Sequence, residues 1–304
     1  MPVTLPFHTV DVFTQKQFAG NPLAIVEEAD GLETVTMQKI AREFNLSETI
    51  FIQTSDDPTH SAKVRIFFPT AEIPFAGHPT IGCAIHLAMK ENPGAEDFEE
   101  VITLEEVAGL VPVNVQRVDG AVKAQFTAPV IPFAGPGQSP SAEMAASALG
   151  LETSDIGIDS HKIRQWQGGP TFLYVPLNSQ SALAKARPTE PGWSEMMDFA
   201  DVHNAYVYTR TADGKAGYQA RMFAPTAGIA EDPATGSASA ILAVQLLDAG
   251  ELSEGLNPFE LRQGYEMGRP SDIGLEVDVE GGSITAVRIS GSSVPVSSGV
   301  FMVK

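Results

Sequence analysis

Glu48 is the carboxyl group whose sequence surroundings best suit acid/base chemistry. It follows a helical pattern that ends near Phe44, and it precedes the apolar run 50–52. A carboxyl group beside such a run is partly removed from water, which suits a general acid or base. A solvated Glu at a helix–strand junction is the more common outcome of this pattern. The local sequence therefore makes Glu48 a candidate without deciding between the two interpretations.

His78 and Asp232 each lie beside a turn that leads into a predicted helix, expected to begin at Pro79/Thr80 and at Pro233. A His and an Asp can exchange protons with a ligand or form hydrogen bonds to it. The first N–H groups of a helix also bind a carboxylate or phosphate. Each residue has an ordinary alternative, since a turn His is often on the surface and an Asp often caps a helix. The pattern alone leaves both interpretations open.

Ser237 and Cys83 occupy corresponding positions in these two helices. Ser237 lies in the first helical turn but lacks the Gly-x-Ser-x-Gly pattern of a hydrolase nucleophile, so we interpret it as a hydrogen-bond donor. Cys83 is the single cysteine, which excludes a disulfide within the chain and a Cys-x-x-Cys motif. We interpret Cys83 as a small buried hydrophobe.

The elements that must position these residues belong to an internal repeat. Segments 68–84 and 224–238 share Pro-Thr-Ala-x-Ile followed by Pro-x-x-Gly-x-Ala, so that Pro69 aligns with Pro225 and His78 with Asp232. Each copy follows a strand-like run and precedes an apolar helical pattern. The repeat predicts two homologous domains related by a pseudo-twofold axis. Chance similarity between Pro- and Gly-rich loops is the alternative.

The remaining periodicity predicts two mixed α/β domains. Further helices are predicted at 36–44 and 142–149, and the proline-rich segment 129–137 is interpreted as a rigid linker. The predicted strands are 9–14, 23–26, 49–54, 62–68, 101–104, 110–115, 172–176, 205–208, 218–223, 276–279, 284–289 and 299–304.

Composition limits the partners. The chain has 304 residues with 19 Lys and Arg against 38 Asp and Glu, a formal net charge of −19. Such a chain repels nucleic acid and anionic membranes, and neither is expected as a partner. An anionic substrate would have to be bound by backbone N–H groups and a few Arg or His side chains. No apolar run has membrane-spanning length and no signal-peptide pattern is recognised, so a cytoplasmic location is expected.

Metal and cofactor motifs are not found. None of the six His residues has the His-x-x-x-His spacing of a zinc-binding helix, and no Gly-rich phosphate loop is recognised. We therefore expect no metal and no cofactor.

The motifs, taken together and in this order, resemble the PhzF-like (phenazine biosynthesis) family over almost the whole chain. The matching stretches are Asp-Val-Phe-Thr (11–14), Phe-Ala-Gly-Asn-Pro (18–22), Leu-Ser-Glu-Thr (46–49), Glu-Ile-Pro-Phe-Ala-Gly-His-Pro-Thr (72–80), Arg-Met-Phe-Ala-Pro (221–225), Gly-Ile-Ala-Glu-Asp-Pro-Ala-Thr-Gly-Ser-Ala (228–238), Gln-Gly (263–264) and Met-Gly-Arg-Pro-Ser (267–271).

The resemblance implies an α/β (α+β) fold of the diaminopimelate-epimerase-like kind. Two pseudo-symmetric domains each wrap a mixed sheet around a central helix, with the active site in the cleft between them. The expected boundaries are 1–128 for the N-terminal domain, completed by the strand 294–304, and 129–293 for the C-terminal domain. Homodimers are common in this family, so a homodimer is expected.

The resemblance also implies a cofactor-independent isomerase that acts on a small carboxylate. In the family's phenazine enzyme, a Glu takes a proton from C3 of trans-2,3-dihydro-3-hydroxyanthranilate and returns it to C1, and this Glu falls on Glu48. The substrate-binding residues are expected to be His78, Asp232, Ser237, Gly77 and Gly236.

Two other functions remain open at this point. One is an epimerase or racemase of an amino or hydroxy acid. Enzymes of that kind with this fold use two Cys residues, and this chain has only Cys83. The other is a ligand-binding paralogue that kept the fold and lost catalysis.

Overall fold

The computed structural model describes residues 3–94, 96–212 and 217–303. Six α-helices and eighteen strands lie in this part of the chain, together with two single-turn 3-10 helices. In chain order they are β1 (Val3–Val12), β2 (Asn21–Val26), α1 (Thr34–Phe44), β3 (Glu48–Gln53), β4 (Ala62–Phe67), β5 (Glu72–Ile73), α2 (Gly77–Glu91), β6 (Phe98–Glu106), β7 (Gly109–Val118), β8 (Ala121–Thr127), β9 (Phe133–Ala134), α3 (Ala142–Leu149), the 3-10 turn Thr153–Asp155, β10 (Arg164–Gln167), β11 (Thr171–Pro176), α4 (Gln180–Lys185), α5 (Gly192–Ala200), β12 (Ala205–Arg210), β13 (Tyr218–Ala224), the 3-10 turn Pro225–Ala227, β14 (Ile229–Asp232), α6 (Gly236–Asp248), β15 (Gly255–Gln263), β16 (Ser271–Glu280), β17 (Ser283–Gly291) and β18 (Ser293–Val303).

The chain forms two compact units. The N-terminal unit comprises Met1–Thr127 and Ser290–Lys304, and the C-terminal unit comprises Ala128–Ile289. The last strand, β18, pairs antiparallel with β1 along its whole length, from Val3 opposite Val303 to Val12 opposite Ser293. The sequence-based prediction places the domain boundaries at 128/129 and 293/294.

The two units share one pattern of strand pairing. In the N-terminal unit, β1 pairs antiparallel with β2, β2 parallel with β3, and β3 antiparallel with β4. Strand β4 then pairs antiparallel with β5 and parallel with β6. In the C-terminal unit, strands β10 to β15 repeat these pairings in the same order, including the parallel pairs β11–β12 and β13–β15. The sequence repeat is therefore a repeat of topology, and the mixed α/β fold class is confirmed.

Helix α2 is the central helix of the N-terminal unit. Strands β1, β2, β3, β6, β7 and β8 all contact it. Every residue from Gly77 to Ile85 is buried, as is Ala88. A helix surrounded by strands has no water-facing side, so it must be apolar around its circumference rather than along one stripe. Helix α6 occupies the corresponding place in the C-terminal unit and contacts β10, β11 and β16.

Each unit also has a helix layer outside its sheet. In the N-terminal unit, α1 packs its predicted apolar face, Met37, Ile40 and Ala41, against sheet residues such as Leu5 and Phe51. In the C-terminal unit, the core is built from α3, α4 and α5 packed on β11 and β12, and Trp193 of α5 is its largest buried side chain. These apolar layers fix the strands whose ends carry the candidate residues.

Three local predictions require correction. Helix α2 begins at Gly77, so Pro79 lies within its first turn, and helix α6 begins at Gly236 rather than at Pro233. The capping positions are Ala76 and Thr235, and neither side chain caps its helix. Strand β14 extends to Asp232, which keeps the backbone of that segment extended and delays the helix.

The predicted linker 129–137 is the third correction, because it contains β9. This strand pairs antiparallel with β10, placing Ala134 opposite Trp166 and Phe133 opposite Gln167. The segment is thus part of the sheet of the C-terminal unit.

Among the described residues, no helix combines the length and apolar character needed to cross a bilayer.

Gly82 lets α2 approach the sheet closely, and this closeness gives the first prediction. A Cβ at Gly82 would lie 2.6 Å from Leu23 Cδ2 and 2.8 Å from Val12 Cγ2. We expect Gly82→Val to lower the free energy of unfolding by about 1–3 kcal/mol, the usual cost of overpacking a core. Urea denaturation measures the change. The control Gly94→Val adds a side chain at an exposed position and should change stability by less than about 0.5 kcal/mol. Equal effects of the two substitutions would contradict this packing argument.

Candidate active site

Glu48 is the first residue of β3, where the strand leaves the turn after α1. Its register places it beside Leu23 of the parallel strand β2. The residue is only 8% exposed. The partial burial expected from the apolar run after Glu48 is therefore confirmed, and the carboxyl group is held at a strand end rather than on a solvated loop.

His78 of α2 lies against this carboxyl group, with its Nδ1 3.3 Å from Glu48 Oε2. The imidazole is 3% exposed. Burial lowers its pKa to about 3, although the backbone carbonyl of Pro22 accepts a hydrogen bond from the ring and opposes the shift. At neutral pH the pair is a carboxyl group beside a neutral imidazole, so the short distance does not mark an ion pair.

The buried imidazole keeps one polar atom for other use. His78 Nε2 is buried, and within the described ranges it has no hydrogen-bond partner. A neutral imidazole has one N–H donor and one bare acceptor nitrogen. Because the ring donates its one N–H to the Pro22 carbonyl, Nε2 is the bare nitrogen, and His78 can accept a hydrogen bond there from a polar group of a ligand next to Glu48.

The N-terminal motif orders the loop that leads to Pro22. Asp11 Oδ2 accepts a hydrogen bond from the Phe18 backbone N–H at 2.6 Å. Gly20 has a φ of +66°, and a Cβ there would lie 2.3 Å from the Val12 carbonyl oxygen. Only glycine fits this close approach. The loop therefore delivers the chain into β2 at the position where the Pro22 carbonyl meets His78.

A second buried carboxyl group, Glu106, supports the same helical turn. It is 7% exposed at the end of β6. Its Oε1 lies 2.7 Å from the Thr80 hydroxyl, which lies 2.8 Å from the Ala76 carbonyl. Burial raises the pKa of Glu106 to about 8, despite the opposing hydrogen bond from Thr80.

Protonation of Glu106 supplies the hydrogen that its contact with the Thr80 hydroxyl needs when Thr80 donates to the Ala76 carbonyl. The Thr80 hydroxyl has one proton and can donate to only one of its two neighbours. A protonated Glu106 supplies a second proton, so that both contacts become hydrogen bonds. The neutral carboxyl group then fixes the first turn of α2, which contains His78, to the end of β6.

Asp232, the counterpart of His78 in the C-terminal unit, is held by a separate network. Its Oδ2 accepts a hydrogen bond from the Thr235 hydroxyl at 2.6 Å. Gln263 donates through Nε2 to the Asp232 carbonyl at 2.8 Å and to Thr235 Oγ1 at 2.9 Å. Gln263 Oε1 in turn accepts from the Thr235 backbone N–H at 3.1 Å. The Gln-Gly motif at 263–264 thus fixes the turn before α6.

Gly264 shows why glycine follows that glutamine. It has a φ of +75°, and a Cβ there would lie 2.4 Å from the Arg269 carbonyl and 2.7 Å from the Pro233 carbonyl. The backbone can pass over the Asp232 turn only without a side chain.

The remaining predicted residues lie at the two helix starts. Gly77 and Gly236 are the first residues of α2 and α6, and both are buried. Ser237 is half-buried in the first turn of α6. The N–H groups of such first turns are the donors that favour an anionic ligand.

Cys83 is fully buried in α2. Burial raises the pKa of its thiol, and the charges of Glu106 and Glu27 act in the same direction. The interpretation of Cys83 as a small buried hydrophobe is confirmed. A thiol of this kind is a poor source of the thiolate that an acid/base cysteine requires.

Sequence reasoning missed Glu106, Thr235 and the side-chain role of Gln263. Glu106 is one of four Glu residues in β6. Because side chains alternate between the two faces of a strand, its position two and four residues after Leu104 and Ile102 could have shown that Glu106 shares their buried face. For Thr235 and Gln263 the sequence holds no comparable signal, because their hydrogen bonds join residues 28 positions apart.

The sequence of the chain is similar to those of known proteins over almost its whole length. A profile of the family described as "Phenazine biosynthesis-like protein" matches residues 10–299. An uncharacterized isomerase of Mesorhizobium japonicum is 40% identical over 297 residues, which cover 95% of this chain and 96% of the relative. The trans-2,3-dihydro-3-hydroxyanthranilate isomerase of Pseudomonas aeruginosa is 35% identical over 294 residues, 95% of this chain and 96% of that enzyme.

A solved structure agrees in fold. The crystal structure of a PhzF-family phenazine biosynthesis protein from Bacillus anthracis superimposes with a TM-score of 0.85 and 26% identity, covering 99% of this chain and all of that one. The fold is accordingly that of the diaminopimelate-epimerase-like proteins, as the motifs predicted.

The raised pKa of Glu106 predicts a pH dependence of stability. Because folding raises this pKa from 4.5 to about 8, the folded protein binds the proton more tightly than the unfolded chain. The contribution is complete below pH 4.5 and is lost as the pH rises towards 8. The free energy of unfolding should thus fall by up to about 1.4 kcal/mol per pH unit.

The lowered pKa of His78 affects a different range, because its contribution is lost as the pH falls from 6.5 towards 3. Between pH 6.5 and 8 we expect Glu106→Gln to remove most of the decline in stability, since the amide is neutral at every pH. Urea denaturation across this range measures it. The control Glu99→Gln, at an exposed position of β6, should decline like the wild type. A parallel decline in Glu106→Gln would contradict the assignment of a neutral Glu106.

Proposed function

Because the chain belongs to the phenazine biosynthesis-like family, we propose that it is an isomerase that shifts a proton on a small carboxylate substrate, with Glu48 as the general acid/base. The relatives from Mesorhizobium japonicum and Pseudomonas aeruginosa are both named as isomerases. The observation that carries the proposal is the nearly buried Glu48 carboxyl group held 3.3 Å from a neutral His78.

The environment of Glu48 suits a group that both accepts and returns a proton. A neutral imidazole carries no charge that would lower the basicity of the carboxylate beside it. Low exposure limits the access of water to the carboxyl group, so a proton taken from carbon can be returned before it exchanges. One group on one face of the substrate is enough for a 1,3-shift.

His78 is proposed to orient the substrate. Its Nε2 would accept a hydrogen bond from an amino or hydroxyl group of the substrate, and Pro22 and the α2 turn fix the ring. Because the ring stays neutral at physiological pH, it can do this without adding a charge next to Glu48. His78 is therefore proposed to position the substrate and not to transfer a proton to or from carbon.

The substrate carboxylate is proposed to be bound by backbone groups. A chain with a net charge of −19 repels an anion at long range, so local positive potential is needed. Each of the first turns of α2 and α6, at Gly77 and Gly236, presents N–H groups at the positive end of its own helix. Asp232 and Ser237 are proposed to bind the amino and hydroxyl groups of the substrate.

The proposed substrate class is that of trans-2,3-dihydro-3-hydroxyanthranilate, from the name of the Pseudomonas aeruginosa relative. Glu48 would take the C3 proton and deliver it to C1. The product has the same atoms as the substrate, and no electrons leave the molecule, so the step requires no redox partner. Stabilisation of the negative charge that develops on the substrate falls to the N–H groups at its carboxylate.

A two-thiol racemase mechanism is disfavoured. It needs two cysteines that exchange protons on opposite faces of the substrate, and Cys83 is the single cysteine and is buried. A homodimer and a cytoplasmic location stay predictions, the first from the family resemblance and the second from composition.

Substitution of the base gives the catalytic prediction. We expect Glu48→Gln to lower kcat by about 10²–10⁴-fold, the usual contribution of a general acid/base, with a smaller change in KM. NMR of the reaction with trans-2,3-dihydro-3-hydroxyanthranilate in D2O measures conversion and deuterium incorporation together. The matched control is Glu43→Gln, which changes an exposed Glu five residues earlier and should keep wild-type rates. Activity within a few-fold of wild type in Glu48→Gln would remove Glu48 from this role.

A further inference from the structure

Two histidines and a glutamate converge in the N-terminal unit, away from the pair formed by Glu48 and His78. His8 Nε2 lies 3.2 Å from Glu27 Oε1, and His86 Nε2 lies 2.8 Å from the same oxygen. The two imidazole rings have centroids 4.6 Å apart. Within the described ranges this is the one group of three His, Cys, Asp or Glu side chains with donor atoms within 4.8 Å of one another.

Regular structure fixes the backbone of all three residues. His8 lies in the middle of β1 and pairs with Ile25 of β2. Glu27 directly follows β2, and its N–H donates to the Pro6 carbonyl at 2.9 Å. His86 belongs to the central helix α2. Donor groups held by two strands and a buried helix lose little freedom when they bind an ion, which favours affinity.

The donor set and its distances suit a metal ion. Imidazole nitrogen and a carboxylate oxygen are the ligands of zinc and related first-row divalent ions, with metal–ligand bonds of about 2.0–2.2 Å. Bonds of that length place neighbouring donors about 3 Å apart, close to the two N···O distances here. An ion bound to all three atoms would lie between them, and metal–ligand bonds would replace the present contacts of the two imidazoles with Glu27 Oε1.

Lys90 determines which carboxylate oxygen of Glu27 is available to an ion. It lies one helical turn after His86 on the same face of α2, and its Nζ contacts Glu27 Oε2. This contact leaves Oε1 for the two imidazoles. Burial opposes ionisation of Glu27, but Lys90 and His86 outweigh it and hold the pKa of the carboxyl group below its usual value. Glu27 is therefore a carboxylate at neutral pH.

His86 is in the state that binds metals. Burial lowers the pKa of His86 below its usual value, although Glu27 opposes the shift. A neutral imidazole coordinates through the nitrogen that lacks a proton. The His8 side chain is 35% exposed, whereas those of His86 and Glu27 are 14% and 10% exposed. An ion can therefore enter past His8 and keep water in its open positions.

From this geometry we infer that His8, Glu27 and His86 form a binding site for a divalent transition-metal ion of the zinc class. The site goes beyond the proposed isomerase reaction. His86 follows His78 by eight residues on α2, about 12 Å along the helix axis, so the ion would not contact the group that orients the substrate. Sequence reasoning expected no metal because these three residues have no recognisable spacing.

Calorimetric titration of the full chain with ZnCl2, after removal of bound metal with a chelator, tests the site. We expect one ion per chain. His8→Asn and His86→Asn should each weaken binding by at least about tenfold, the lower end of the cost of disturbing a metal site. The matched control is His60→Asn, because His60 contacts a single carboxylate, with Nδ1 2.7 Å from Glu105 Oε1. It should bind zinc like the wild type.

Lys90→Met distinguishes a metal site from a purely structural ion cluster. Removal of the positive charge that contacts Glu27 should tighten binding of the divalent ion by at least about fivefold. If the three residues formed only a structural cluster, Lys90→Met would lower the stability of the protein and would not tighten zinc binding. Cobalt(II) should give visible d–d absorption in the wild type and in His60→Asn, and not in His8→Asn.

Three results would overturn the inference. They are the lack of a stoichiometric zinc site in the wild type, equal zinc affinity in His8→Asn and His60→Asn, and weaker zinc binding in Lys90→Met. Circular dichroism of each variant shows whether it is folded. Neither titration nor absorption depends on turnover, so failure of the metal site would leave the assignment of Glu48 intact, and failure of Glu48 would leave the site intact.

Discussion

The burial of His78 is the constraint on which the candidate site depends. A histidine in the first turn of a helix enclosed by strands cannot keep a charge, and its pKa falls to about 3. The Glu48 carboxyl group beside it therefore has a neutral neighbour that can form hydrogen bonds but cannot neutralise it. If the carboxyl group and a charged histidine formed an ion pair at the surface instead, the carboxyl group would be more acidic. A positive charge would then also lie where the substrate must bind.

The rest of the N-terminal unit holds that turn in place. Strand β2 brings the Pro22 carbonyl to the ring, and β6 brings the protonated Glu106 to Thr80 on the same turn. Gly82 allows α2 to lie close against β1 and β2. The C-terminal unit repeats the topology with different chemistry, since Gln263 and Thr235 fix Asp232 with hydrogen bonds between neutral groups and one carboxylate. One architecture has thus produced two differently supported polar turns.

Much of this could be predicted from the sequence, because the informative signals are local. The repeat, twelve of the eighteen described strands and the apolar face of α1 follow from periodicity, whereas β5, β8, β9, β10, β14 and β15 were not predicted. The partial burial of Glu48 follows from the apolar run after it. The start of α6 was predicted three residues too early because a proline is compatible both with a first helical turn and with the extended end of β14. Local pattern could not choose between them.

The supporting groups could not be predicted in the same way. Glu106 is buried by the register of β6, and the bonds of Gln263 cross from β15 to the turn before α6. His8, Glu27 and His86 meet only when β1, β2 and α2 are packed together. Each of these contacts depends on tertiary structure between residues distant in sequence, whereas the motifs record only neighbours along the chain.

The most direct test of the central claim follows a labelled hydrogen through one turnover. Substrate with deuterium at C3 would be converted in ordinary water, and the C1 position of the product examined by NMR at the earliest times. A single shielded Glu48 predicts that a measurable part of the deuterium appears at C1, because the residue is only 8% exposed and the carboxyl group returns the label before it exchanges. Complete replacement of the label by solvent hydrogen from the first turnover would contradict a single shielded acid/base.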